Sequence, residues 1–142
     1  MTEVAFHFNV PDKLGYACRL LRKAHAAVGQ VGVVGPQEML GALDQALWSF
    51  SALDFVPHCL ASAPAPVLTA TPIVLATDSA QLPPTQVLVN LGAAVPAGFE
   101  RFERLIELVD TSDTGRAEAR QRWRHYAERG YPIQRHDLAA RE

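Results

Sequence analysis

Residues 3–36 read EVAFHFNVPDKLGYACRLLRKAHAAVGQVGVVGP, and this stretch sets the fold class. Glu3 to Val10 alternates and is rich in Val and Phe, the pattern of a half-buried strand. Pro11-Asp12-Lys13 is a turn. Leu14, Ala17, Cys18, Leu21 and Ala24 then recur at helical period, so a helix is expected from Leu14 to Val28, closed by Gly29. Gln30 to Val34 is a short apolar run that suits a buried strand, broken by Gly35-Pro36. Pro36 fits the first turn of a second helix reaching Trp48, with Met39, Leu40, Leu43, Ala46 and Leu47 inward.

Alternating strands and helices point to parallel pairing through right-handed crossovers. Further along, 72–77, 86–91 and 104–109 are apolar and strand-like, with one helical turn expected at 99–103 and a loop over the Pro/Ala-rich 61–71. Three strands in succession suggest some antiparallel pairing. The expected fold is therefore α/β: a single Rossmann-like three-layer domain over residues 1–142 with a mixed, mostly parallel sheet. The polar tail, 134–142, is expected to fray. Length and composition agree with one soluble globular domain.

The last helix is the conspicuous one. TSDTGRAEARQRWRHYAERGY, residues 111–131, has Ser112 or Asp113 as a cap and Gly130 and Pro132 as a stop. At about 100° per residue, Arg116, Arg120 and Arg124 form a stripe with Trp123 inside it and Tyr126 on its flank. Arg122 is expected on the other side. From Ser112 to His136 there are six arginines against three acids, a local +3 on a chain of net −2, so the remainder carries −5. An apolar floor edged by guanidinium groups suits an acidic ligand with a greasy part. Single-stranded nucleic acid is a rival, because arginine and aromatics also take phosphates and stacked bases. A solvated face with its aromatics turned inward is the plain alternative.

Other chemistries find little support. Gly29, Gly32 and Gly35 surround a strand rather than link one to a helix, and Asn9-Val10-Pro11-Asp12 contains no glycine, so a nucleotide-using enzyme on this fold is the weaker reading. No GxSxG occurs. His58 beside Asp54 and Ser51 reads as a loop histidine bonded to backbone rather than a triad member. His7 reads as a satisfied, partly buried strand residue. The histidines have no metal-ligand spacing, and Cys18 and Cys59 are separate packing residues. No catalytic residue, cofactor or metal is expected. Neither a signal peptide nor a membrane span is seen, and a cytoplasmic location is expected.

One block has a familiar form. ALDQALWSFSALDFVPHCLA, residues 42–61, resembles the signature of the chi subunit of bacterial DNA polymerase III: Leu43, Asp44, Leu47 and Trp48, then Phe55, Pro57, His58 and Leu60. QVLVNLG (86–92) and RQRWRHYAERGY (120–131) resemble two further parts of that family in the right order. The resemblance implies a non-catalytic accessory subunit of the clamp loader. Such a subunit pairs one-to-one with a psi subunit and grips the acidic, Phe-ended tail of the single-stranded-DNA-binding protein (SSB). Carried over by motif, the tail site is Arg116, Arg120, Trp123, Arg124 and Tyr126, with Val109 as a wall. Trp48, Phe55 and Pro57 fall on the psi or clamp-loader side. The family often has Lys where this chain has Arg116 and Arg124, and Tyr where it has Trp123. Charge and aromaticity are kept, but the shape changes. On this placement Arg120→Ala is expected to cost more binding than Arg122→Ala.

Overall fold

In the computed structural model, which describes residues 1–28, 30–49, 57–83 and 86–141, the first half follows the sequence pattern closely. Strand β1 (Glu3–Val10) passes through Pro11 and Asp12 into α1 (Lys13–Val28), β2 (Val31–Val34) and α2 (Gln37–Ser49). Then come β3 (His58–Leu60), α3 (Ala65–Ala70), β4 (Ile73–Ala76), β5 (Val87–Asn90) and β6 (Arg104–Asp110). Helix α4 (Asp113–Glu128) and strand β7 (Ile133–Asp137) complete the order.

The sheet runs β3-β4-β2-β5-β6-β1-β7. The chain steps one way from β1 to β2 to β3 and the other way from β3 onward. With crossovers of one hand, the two sets of connections land on opposite faces. The core divides accordingly. On one face Ala17, Cys18, Leu21, Leu40, Leu43 and Leu47 of α1 and α2 cover Val31, Val33, Ile73, Leu75, Val89 and Leu108. On the other face Ala119 and Tyr126 of α4, with Leu82, Phe99 and Phe102, cover Val4, Phe6, Leu88, Leu105 and Val109. This is the expected three-layer α/β domain.

Three features depart from expectation. Every described pairing is parallel, so the antiparallel part of the expected mixed sheet is not formed. The links 77–86 and 91–103 each hold a short 3-10 turn, at Ser79–Gln81 and Phe99–Arg101, and approach the dozen or so residues a parallel return needs. A short helix, α3, forms within the Pro/Ala-rich stretch, where Pro64 and Pro66 sit at its start and sacrifice no helical hydrogen bond. The stretch expected to fray instead supplies β7, paired along β1 from Val4–Ile133 to Phe8–Asp137. As a half-exposed edge strand of sequence IQRHD, it lacks the apolar alternation that announces a strand. The expected Gly29 cap and Phe55 lie outside the described residues.

Candidate binding site on helix α4

Helix α4 starts where its sequence says. Ser112 Oγ accepts from the Gly115 amide at 3.0 Å, and Asp110 Oδ1 fixes Ser112 by accepting from its amide (3.0 Å) and its hydroxyl (2.6 Å). The Ser112 hydroxyl and backbone amide hold the Asp110 carboxyl below the usual carboxylate range, against a small opposing effect of burial, and Lys13 and Arg116 assist. At the other end Gly130 takes φ +79°, the left-handed geometry that stops a helix.

The phase of α4 sorts its residues. Ala119, Arg122 and Tyr126 are buried, so the inward direction bisects them. Arg116 and Arg120 then emerge along the edge of the sheet, Trp123 lies half-buried between them and the core, and Arg124 points to solvent. Beneath this edge is an open cavity of about 680 Å³. Phe6, Phe8 and Asn9 of β1 and Val109 of β6 form its base, with Arg116, Ala119, Arg120 and Trp123 on the helix side and Arg135 of β7 opposite. The Phe6 ring centroid is 5.0 Å from that of Trp123. The Arg135 guanidinium lies over both Phe8 (5.3 Å) and Trp123 (5.7 Å).

Of the six residues assigned to this site from sequence, Val109, Arg116, Arg120 and Trp123 meet in one groove. Arg124 is exposed and outside it. Tyr126 is a correction: it is fully buried, and its hydroxyl donates to Glu107 Oε2 at 2.5 Å. Three residues beyond Trp123 on a helix means about 60° further inward, enough to place Tyr126 under the floor. Sequence reasoning missed Phe6, Phe8, Asn9 and Arg135, which come from β1 and β7. Asn9 stands at φ +60°, at a register shift in β1, in a conformation that asparagine tolerates better than most residues. From there its Oδ1 accepts from Arg116 Nη2 at 3.1 Å, and its Nδ2 donates to Asp137 Oδ1 at 2.7 Å, joining α4, β1 and β7.

Between α4 and strands β5 and β6 is a closed polar cluster. Glu107, wholly buried in β6, accepts from Arg122 Nε at 3.0 Å, from Asn90 Nδ2 at 3.0 and 3.1 Å, and from Tyr126. Arg122 also donates from Nη1 to the Ala93 carbonyl at 2.9 Å. Burial pushes the Glu107 carboxyl up, while Arg122, Tyr126 and Asn90 favour its charge. Burial and Glu107 together push the Tyr126 hydroxyl far up, so it remains a donor. Arg122, expected on the far side of α4, is thus a core residue, because an embedded carboxylate needs a charged partner.

The signature block folds into one contact. Asp44 Oδ1 and His58 Nε2 lie 2.9 Å apart, joining α2 to the edge strand β3. His58 therefore meets a side chain rather than only backbone. The Trp48 ring stands 5.2 Å from the His58 ring yet is 60% exposed, and Pro57 is half-buried. His7 is satisfied as expected, with Nδ1 2.5 Å from the Tyr16 hydroxyl. Where a nucleotide phosphate would need the start of α1, the Asp12 carboxylate already accepts from the Gly15 amide at 3.1 Å. Among the described residues no cluster of three or more His, Cys, Asp or Glu could hold a metal, and no helix is long and apolar enough to cross a membrane.

Comparison with known proteins agrees with the motif reading. The sequence model of the family described as "DNA polymerase III chi subunit, HolC" matches residues 1–134. The DNA polymerase III subunit chi of Pseudomonas aeruginosa is 34% identical, over 97% of this chain and 98% of that relative. Among solved structures, the C-terminal domain of the DEAD-box protein Dbp5 superposes with a TM-score of 0.67 over 98% of this chain and 91% of that one. At 10% identity, that likeness is one of fold alone.

Proposed function

The chain belongs to the family of DNA polymerase III chi subunits, and from that membership we propose that it is a non-catalytic accessory subunit of the polymerase's clamp loader. In this reading it grips the acidic C-terminal tail of the single-stranded-DNA-binding protein and passes that hold to the polymerase through a psi subunit. The observation that carries the first half is the groove beneath α4: Phe6, Phe8, Val109 and Trp123 make an apolar base, and Arg116, Arg120 and Arg135 rim it. A terminal Phe ring fills the base, and the preceding aspartates meet the guanidinium groups.

Each charge-assisted contact contributes about 1.5–3 kcal/mol where shielded and less where exposed. Ordering a flexible tail offsets part of this, so single-tail affinity is on the order of micromolar. An oligomeric partner with several tails gains by avidity. Exposed Trp48, set against the Asp44–His58 contact, supports the psi or clamp-loader side of the reading, because unburied aromatics anchor partner surfaces. Phe55 and Pro57 extend that side in sequence.

Isothermal titration with a short acidic peptide ending in Asp-Phe tests the tail site. Binding that disappears with the terminal Phe supports it. Tight binding of a single-stranded oligonucleotide with no response to the peptide reverses the assignment in favour of direct nucleic-acid binding.

A further inference from the structure

The face of the sheet opposite the groove carries a second basic surface. Helix α1 holds Lys13, Arg19, Arg22 and Lys23 and no acid, on a chain of net charge −2. Lys13 is half-buried and donates to the Leu91 carbonyl at 3.1 Å. Arg19 and Lys23 are exposed, one turn apart on the same ridge, and have no hydrogen bond or ion pair among the described residues. Like charges at that spacing work against a helix, so the ridge does not serve the fold.

A row of rings leads away from it. The Arg19 guanidinium lies 5.9 Å from the centre of the Tyr16 ring. The Tyr16 ring is 5.7 Å from that of His7, and His7 is 4.5 Å from His136, its register partner on β7. All three rings are partly exposed. Alternation along β1 and β7 puts Phe6 and Arg135 on the α4 side and His7 and His136 on the α1 side. Strand β7 ends the sheet, so the row runs out to an open edge. The acids that flank this band in sequence are engaged elsewhere. Asp12 Oδ1 accepts from the Gly15 amide at 3.1 Å, and Asp137 Oδ1 accepts from Asn9 Nδ2 at 2.7 Å and from the Ala139 amide at 3.0 Å.

We propose that this band, from Lys23 and Arg19 across Tyr16 and His7 to His136, is a contact surface for single-stranded DNA. It uses none of the groove residues and goes beyond the tail reading. The argument is one of complementarity. The two free cations take backbone phosphates, and the adjoining rings take unstacked bases, the combination that holds single strands without sequence preference. A duplex keeps its bases stacked and an acidic peptide has none, so both leave the rings unused. Membership in a family of DNA polymerase subunits selects DNA as the strand. Two cations make few phosphate contacts, so the hold is weak and falls as salt rises. Linked to a tail held at the groove, such a weak contact gains by effective concentration.

The experiment is fluorescence anisotropy of a labelled oligothymidine of about 20 nucleotides, titrated with the full chain over a range of salt concentrations. Circular dichroism and melting curves check each variant's fold. The wild-type chain is expected to bind with Kd on the order of 10–100 μM at about 50 mM salt, and a duplex of the same length more weakly. The double variant Arg19→Ala/Lys23→Ala should lose about tenfold in affinity and reduce the slope of log K against log salt by about 1.4, the share of two phosphate contacts. His136→Ala should lose about fivefold with the slope unchanged, as expected of a lost stacking surface. Arg104→Ala/Arg129→Ala, an equal loss of exposed charge elsewhere, should stay within about twofold of the wild type. Arg116→Ala/Arg120→Ala should keep the oligonucleotide and lose the acidic peptide. No binding by the wild type at low salt, or an equal loss in Arg104→Ala/Arg129→Ala, overturns the inference and leaves the tail site standing. Loss of the oligonucleotide in Arg116→Ala/Arg120→Ala but not in Arg19→Ala/Lys23→Ala overturns it in favour of DNA at the groove.

Discussion

The Nε of Arg122 donates to Glu107 Oε1 across 3.0 Å, and both side chains are buried. This pair locks α4 to β6, with Tyr126 and Asn90 closing the remaining carboxylate positions. The helix that carries Arg116 and Arg120 at the groove is thus anchored by a further arginine inside the protein.

Arg122→Ala is accordingly a stability variant. It leaves a buried carboxylate without its cation and should cost about 3–5 kcal/mol, read from urea denaturation. Pairing Arg122→Met with Glu107→Leu should recover much of the loss, because the uncompensated charge goes as well. Arg129, exposed and with its side chain bonded only to the His125 carbonyl among the described residues, is the suitable surface control.

Trp48 predicts the opposite separation. At 60% exposed it contributes little to the core, so Trp48→Ala should leave the melting temperature within about 2 °C of the parent. Association with a psi subunit, followed by size-exclusion chromatography, should be lost. His58 is buried and bonded to Asp44, so Asp44→Ala should cost on the order of 1–2 kcal/mol in chemical denaturation.

Asn9 sets the corner where α4, β1 and β7 meet. Asn9→Val forces a β-branched residue to φ +60° and removes the bonds to Arg116 and Asp137. A loss of about 2–3 kcal/mol is expected in thermal or urea unfolding. Asn9→Gly keeps the backbone at ease and loses only the side-chain bonds, so it should cost less than Asn9→Val.

Acid should act through Asp110. Its folded pKa lies below the unfolded value, so its stabilising effect is present above about pH 4 and is lost as pH falls through the lowered folded value. Helix α4, whose Ser112 cap hangs on that carboxylate, should then lose amide protection at its first turn before the sheet does, measurable by hydrogen exchange. Asp110→Asn should show this fraying already at neutral pH, with no further acid-dependent step from this residue.

The elements legible in the sequence are those whose period is clean. Leu14, Ala17, Cys18 and Leu21 announced α1, and the Val-rich run at 31–34 announced β2. For α4 the caps were readable but the phase was not, because arginines occur on nearly every side of it. Arg122 and Tyr126 therefore both lie deeper than the sequence suggests. The available clue was Glu107, a carboxylate between Leu105 and Val109 at the same alternation, which in a buried parallel strand demands a cation. Arg135, Phe8 and Asn9 join the groove only through the β1–β7 ladder, a long-range pairing without local signature. Of the groove's lining, Val109, Arg116, Arg120 and Trp123 are thus nameable from sequence, and the residues from β1 and β7 are not.

Trp123 offers the most direct test of the groove, because the other tryptophan, Trp48, can be removed. In a Trp48→Phe chain, Trp123 is the single indole, and its emission should change saturably as an acidic peptide ending in Asp-Phe is added. Half-saturation is expected near micromolar concentration, weakening as salt rises and strongly reduced by Arg120→Ala. Calorimetric binding of that peptide with no change in Trp123 emission, and with full affinity in Arg120→Ala, would place the tail elsewhere and contradict the groove.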